Sequence, residues 1–191
     1  MGRSLRRVRL VQLADHHLPA LHRIVSDHEV GRYWETRGEV IDRRGLGDLL
    51  FGHCRLQVAI TGIDGEVLGF CGLTEVAPTD LHGTITMFVA PRCWGLGHAT
   101  EALVGYLDLV LATTPLRKLY LPMHAVVAAR NQAVFRYLEL EARLRDHVLI
   151  DGEWGDLLIA SIRREDFEGL AQRPSLVRRV LAHAPAGAES R

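Results

Sequence analysis

Residues 84 to 111 change hydrophobic period midway, and two glycines sit at the change. Thr84-Ile85-Thr86-Met87-Phe88-Val89 reads as a β-strand. Ala99, Ala102, Leu103, Tyr106, Leu107, Val110 and Leu111 then form an apolar stripe at the i, i+3, i+4, i+7 spacing of a helix, which Pro115 ends. Between them runs Arg92-Cys93-Trp94-Gly95-Leu96-Gly97-His98. A strand emptying through glycines into a helix start is an anion site in outline. Glycine permits positive φ and close approach, so that successive N–H groups converge on one oxygen. The first helical turn adds unpaired N–H groups and the positive end of its dipole.

Two nucleotide patterns fail on these residues. The triphosphate loop needs a lysine directly after its last glycine. The lone lysine here, Lys118, is far from the glycines. The dinucleotide fingerprint needs a third glycine, where Thr100 stands, and a place after the first strand of a βαβ unit.

The composition narrows the class further. The 191 residues suit one domain with a real core, and 23 basic residues balance 23 acidic ones, so no global field recruits nucleic acid or anionic lipid. Cys54, Cys71 and Cys93 give neither a disulfide framework nor a metal knuckle, which points to a reducing cytoplasm and no metal. His16, His17, His22 and His28 cluster without a metal-ligand spacing. Charges interrupt every apolar run near the N-terminus, so neither a signal peptide nor a membrane span is expected.

Elsewhere the pattern predicts a strand at Val8–Leu13, a helix capped by Asp15, and a second helix near Ile41–Phe51. A hairpin follows around Asp64-Gly65, then a strand over Leu81–Ala90. Lys118–Val126 reads as a strand that Pro122 either pushes to an edge or unpairs. A helix over Arg130–Leu138 comes next, and a closing hairpin runs from Val148 through Asp151-Gly152 to Ile162. The order is β-α-α-β-β-β-α-β-α-β-β. The domain is expected over residues 1–168, with a helical or flexible tail over 169–191, including a small helix at Ser175–His183.

Arg92-Cys93-Trp94-Gly95-Leu96-Gly97 fits Arg/Gln-x-x-Gly-x-Gly/Ala, the pyrophosphate loop of the GNAT superfamily of acyl-CoA-dependent acyltransferases. Pro91, Trp94 and Ala99-Thr100-Glu101-Ala102 resemble the branch holding ribosomal-protein N-terminal acetyltransferases and spermidine acetyltransferase. So does the stretch Leu140 to Gly152 with Trp154 and Asp156, and the likeness spans Val8 to Phe167. It implies an α/β (α+β) fold whose mixed, mostly antiparallel sheet is flanked by helices and splayed at the acyl-CoA site. By the same resemblance, Met87, Phe88 and Val89 offer main-chain bonds to pantetheine. Arg92, Cys93, Trp94, Gly95, Leu96, Gly97 and His98 wrap the pyrophosphate, with Ala99 opening the helix. Asn131 contacts the cofactor arm or an ordered water, where the residue alone reads as an ordinary helix cap, and Tyr33, Trp34 and Glu35, in a polar connection, form either an acceptor wall or a core or hinge.

The implied reaction is direct transfer from acetyl-CoA, or another acyl-CoA, to a primary amine on a small molecule or a protein N-terminus, by a monomer or homodimer. The chain departs from its relatives where they keep catalytic groups. Thr84 and Thr86 replace an acidic residue and a glycine, and the asparagine segment is shortened, which puts Tyr137 one step off register. Glu75, Asp80, His82, His124 and Tyr137 are the candidates for acid and base, and His124 has the most suitable ordinary pKa. The alternative is a non-catalytic acyl-CoA-binding module.

Overall fold

A computed structural model describes residues 7–37, 39–135 and 137–171. β1 (Val8–Gln12) leads into a 3-10 turn at Asp15–His17, where His17 Nδ1 accepts from the Ala14 N–H at 3.0 Å. Asp15 therefore begins a turn instead of capping α1 (Leu18–Val25). α2 (His28–Gly31) and α3 (Arg43–Gly52) carry aspartate caps. The Asp27 carboxylate accepts from the Glu29 N–H at 2.9 Å, and that of Asp42 from the Gly45 N–H at 2.7 Å.

β2 (Arg55–Gly62), β3 (Val67–Ala77) and β4 (His82–Val89) form a meander, and α4 (His98–Thr113) follows the glycines. The α4 stripe packs as its spacing predicts: Ala102, Leu103, Tyr106, Leu107, Val110 and Leu111 are all buried. Tyr106 anchors the helix by donating its hydroxyl to the Leu56 carbonyl at 3.1 Å. After β5 (Lys118–His124) come α5 (Ala125–Arg130) and α6 (Gln132–Phe135), then β6 (Glu139–Ile150), β7 (Glu153–Arg163) and α7 (Arg164–Ala171).

The seven strands form one sheet in the order β1-β2-β3-β4-β5-β7-β6. Among the described residues β4–β5 is the one parallel pair, and it is short: His82 with Lys118, Gly83 with Leu119, and Thr84 with Tyr120. Beyond Thr84 the two strands part. β4 stays paired to β3 as far as Val89 opposite Gly69, and β5 stays paired to β7 as far as His124 opposite Leu157. The sheet thus opens in its middle while both halves stay intact. Pro122, without an N–H to donate, lies in the parted half, so it marks broken pairing and not an edge.

Two elements differ from the sequence pattern. The helix expected over Arg130–Leu138 instead begins at Ala125, directly after β5, and breaks at Asn131 (φ −115°, ψ 29°). β6 starts at Glu139, well before Val148. Its charged residues hid a strand on the sheet edge, where such side chains are tolerated and discourage edge pairing. The helix expected at Ser175–His183 lies outside the described residues. No described helix is long and apolar enough to cross a membrane.

Candidate active site

The parting of β4 from β5 opens a cavity of about 280 Å³. Ile85, Met87, Phe88 and Val89 line one wall, and Leu121, Pro122, Met123 and His124 the other. Backbone groups on the facing edges have no ladder partner across the gap after Thr84 and Tyr120. An extended polar chain fits such a gap because it can satisfy both edges, as an added strand would. One acceptor is already engaged: the Trp94 indole N–H donates to the Val89 carbonyl at 3.2 Å.

At the C-terminal end of β4 the cavity meets the glycine loop. Cys93, Trp94, Gly95, Gly97 and Ala99 all line it, joined by Thr100. Gly95 has φ +71° and Gly97 φ +83°, conformations that carry a steric cost for L side chains. A Cβ on Gly95 would point into open space with nothing within 4 Å. The first intrahelical bond runs from the Glu101 N–H to the Gly97 carbonyl at 3.0 Å. The N–H groups of Gly97, His98, Ala99 and Thr100 therefore have no intrahelical acceptor, so they suit a phosphate oxygen. Cys93 is buried, and burial pushes its thiol pKa up despite Arg92 nearby, so it packs as a neutral thiol.

His124 stands on the facing strand. It is the last residue of β5, 5% exposed, with its ring edge-on to Tyr33 at 5.5 Å between centroids. Its Nδ1 is buried and has no hydrogen-bond partner. Burial first, and the positive charge of Arg37 second, hold its pKa below the ordinary imidazole value of 6.5. A neutral imidazole in a cavity, with a ring nitrogen uncommitted, has the protonation state of a general base.

The wall near α2 carries Glu29, Val30, Tyr33 and Trp34. Of the roles open to it, Trp34, in the connection after α2, takes a core one. It is 5% exposed, edge-on to Phe88 at 4.7 Å, and donates its indole N–H to Thr86 Oγ1 at 3.1 Å. Thr86 is thus occupied in pinning this wall. Trp34→Phe removes that donor and leaves a buried hydroxyl unpaired. Stability is expected to fall by about 2 kcal/mol. Urea unfolding checks this, and an unchanged midpoint would mean the bond carries nothing.

Several sequence candidates lie elsewhere. Glu75 accepts from the Thr84 hydroxyl at 3.0 Å, Asp80 sits in the β3–β4 turn, and His82 begins β4 with its ring against Tyr120. None of the three lines the cavity. His82 stands five residues from Met87, roughly 17 Å of strand. Tyr137 and Glu35 are also absent from its walls. So are Arg92, Leu96 and His98; the Arg92 guanidinium instead donates to Glu66 at 2.7 Å and to the Val67 carbonyl at 3.3 Å. Asn131 does line the cavity, but its side-chain amide donates to the Val127 carbonyl at 2.8 Å, closing α5. The sequence reading passed over Glu29 and Arg130, both on the cavity wall. A period-3.6 pattern marks apolar faces and gives no signal for charged residues brought to a cavity by a helix break.

Residues 7–140 match the acetyltransferase (GNAT) domain family. The chain belongs to the GNAT acetyltransferase family. A search of curated proteins finds no match. Among solved structures, this acetyltransferase is similar to spermidine N-acetyltransferase from Vibrio cholerae in complex with CoA and spermine. The TM-score is 0.74 at 18% identity, over 85% of this chain and 98% of that one. A chimera of the V. cholerae enzyme and hSSAT gives 0.73 at 16% identity, over 85% and 99%. A T. thermophilus protein provisionally assigned as an acetyltransferase gives 0.69 at 22% identity, over 95% of both chains. At these identities the likeness establishes the fold: the split, mostly antiparallel sheet of the GNAT acetyltransferases.

Proposed function

We propose that this GNAT acetyltransferase moves an acetyl group from acetyl-CoA directly to a primary amine, with His124 as general base. The observation that carries this is the cavity in the parted sheet: anion-ready N–H groups in the glycine loop after β4 and an uncommitted neutral imidazole on the facing strand β5. Acetyl-CoA, when bound, supplies the activated thioester acetyl group. Gly95, Gly97, Ala99 and Thr100 bind the pyrophosphate through backbone N–H groups, and the open edges of Met87, Phe88 and Val89 hold the pantetheine. Asn131 sits against the same arm. His124 takes the proton that the attacking amine releases as the new N–C bond forms and the C–S bond breaks, and CoA leaves as its thiolate, which takes a proton from solvent. Tyr33 and Trp34 form the acceptor wall.

The acceptor is a small-molecule amine or an exposed protein N-terminus, which keeps the chain beside the branch it resembles in sequence. The test is amine-dependent release of CoA thiol, read with a thermal-shift series. CoA is expected to raise Tm where ATP and NAD do not. Stabilisation by NAD or ATP but not by CoA would overturn the cofactor assignment.

A second reading has its own support. Thr84 stands where the branch it resembles has an acidic residue and donates to Glu75, and Tyr137 is off the cavity wall, so two groups expected to act as acid or base are missing from it. A CoA-binding module without catalysis predicts tight CoA binding and no thioester loss with any amine.

A further inference from the structure

The charges around the acceptor side of the cavity are unevenly satisfied. Glu29 is the one carboxylate among its lining residues, and Arg32 already donates to it at 2.6 Å. Asp151, at the tip of the β6–β7 hairpin, is held by the same guanidinium at 2.8 Å and by His28 at 3.2 Å. Both carboxylates are therefore engaged. Arg130 is not. It lines the cavity and makes no ion pair among the described residues. Its guanidinium carbon lies 5.8 Å from the Tyr33 ring and 5.7 Å from the Trp94 ring, spanning the mouth between acceptor wall and glycine loop. Arg37 adds a second positive charge within electrostatic reach of His124.

A polycationic acceptor needs several carboxylates to offset its charge on entry, and this mouth holds one, already neutralised. An unpaired guanidinium beside an aromatic ring is a receptor for a planar oxyanion, which it binds through a two-point fork. Resting on the amine-acetylation reading above, we infer that the acceptor is a primary amine that also bears a carboxylate, held by Arg130 while the amine faces His124. Arg130 is a specificity residue in this scheme: it binds the part of the acceptor that does not react. The phosphates of CoA have their own donors in the glycine loop.

The test compares kcat/KM for glutamate, β-alanine, ethanolamine and spermidine, together with the calorimetric Kd for CoA, in the wild type, Arg130→Lys and Arg130→Glu. The expected wild-type order places the carboxylate-bearing amines about tenfold or more above spermidine. Arg130→Glu is expected to lower that ratio roughly thirtyfold, and Arg130→Lys to keep most of it. The Kd for CoA is expected to stay within about twofold in both variants, because a hydrogen bond to phosphate carries a larger effect. Spermidine acetylated as well as glutamate by the wild type would overturn the inference and leave the amine-acetylation reading standing. So would an unchanged ratio in Arg130→Glu. A weakened CoA Kd in that variant would move Arg130 to a phosphate and also overturn it. CoA release with no amine of any charge would sink both.

Discussion

His124→Gln is expected to lower kcat about 100-fold, the usual scale for losing a positioned general base, while the KM for acetyl-CoA changes little. The reason is location. His124 is buried at the end of β5, on the cavity wall that faces β4, and it is not one of the glycine loop's N–H donors. The pH profile gives the sharper readout. Burial and Arg37 both disfavour the imidazolium, so the pKa in the folded protein lies below 6.5. The acid limb of kcat/KM is therefore expected below 6.5, and the glutamine variant is expected to lose that limb. The sign for stability follows from the same shift. The unfolded chain takes up the proton first, so the contribution of this group is full above 6.5 and is lost as pH falls through 6.5 towards the lowered value. A glutamine variant that keeps wild-type kcat, or an unaltered acid limb, would remove His124 from the reaction.

Gly95→Val carries the second large effect. The residue sits at φ +71° and lines the cavity, and a Cβ there meets no protein atom within 4 Å. The substitution costs about 1–2 kcal/mol of backbone strain, which lowers Tm by roughly 5 °C in a domain of this size. The larger consequence is for the ligand, because the new side chain fills the space over the N–H groups. The Kd for CoA is expected to rise at least about thirtyfold, the scale of one lost hydrogen bond to a charged group. Gly152→Val supplies the control. That glycine has φ +84° and equally open surroundings but lies in the β6–β7 turn, outside the cavity wall. It is expected to lower Tm by a similar amount and leave CoA affinity unchanged. Equal loss of affinity in both variants would mean that the loop acts only through stability.

The residues differ in how far the sequence exposed their roles. Gly95 and Gly97 were legible because a positive-φ turn between two clear periodicities leaves few alternatives, and the α4 stripe was legible because burial follows period 3.6. Pro122 was half-legible: a missing N–H signals broken pairing, but only the sheet order shows that the break faces β4 inside the sheet. Glu75, His82 and His124 looked alike in the sequence, since each falls on or beside a strand near the glycines. What separates them is which end of the β4–β5 pair stays closed. His82 is at the paired end, opposite Lys118, and His124 lies past the last pair. That distinction is a property of register, which one strand's residues do not encode. Trp34 was legible only as wall, core or hinge, because its neighbours are polar. Its burial comes from Phe88 and Thr86, more than fifty residues on. Arg130 depends on three elements meeting at once, with the Tyr33 and Trp94 rings brought to 5.8 and 5.7 Å from its guanidinium carbon.

The most direct measurement is a single-turnover reaction with acetyl-labelled acetyl-CoA, enzyme in excess and a saturating amine. Label in the amine, CoA thiol and residual acetyl-CoA are quantified together, with the protein analysed by intact mass. Direct transfer in the parted sheet predicts that labelled amide and free thiol appear at one rate, both depend on the amine, and the protein mass never changes. Acetylated protein that forms and decays on the way to product would contradict it, as would thiol release without N-acetylated amine.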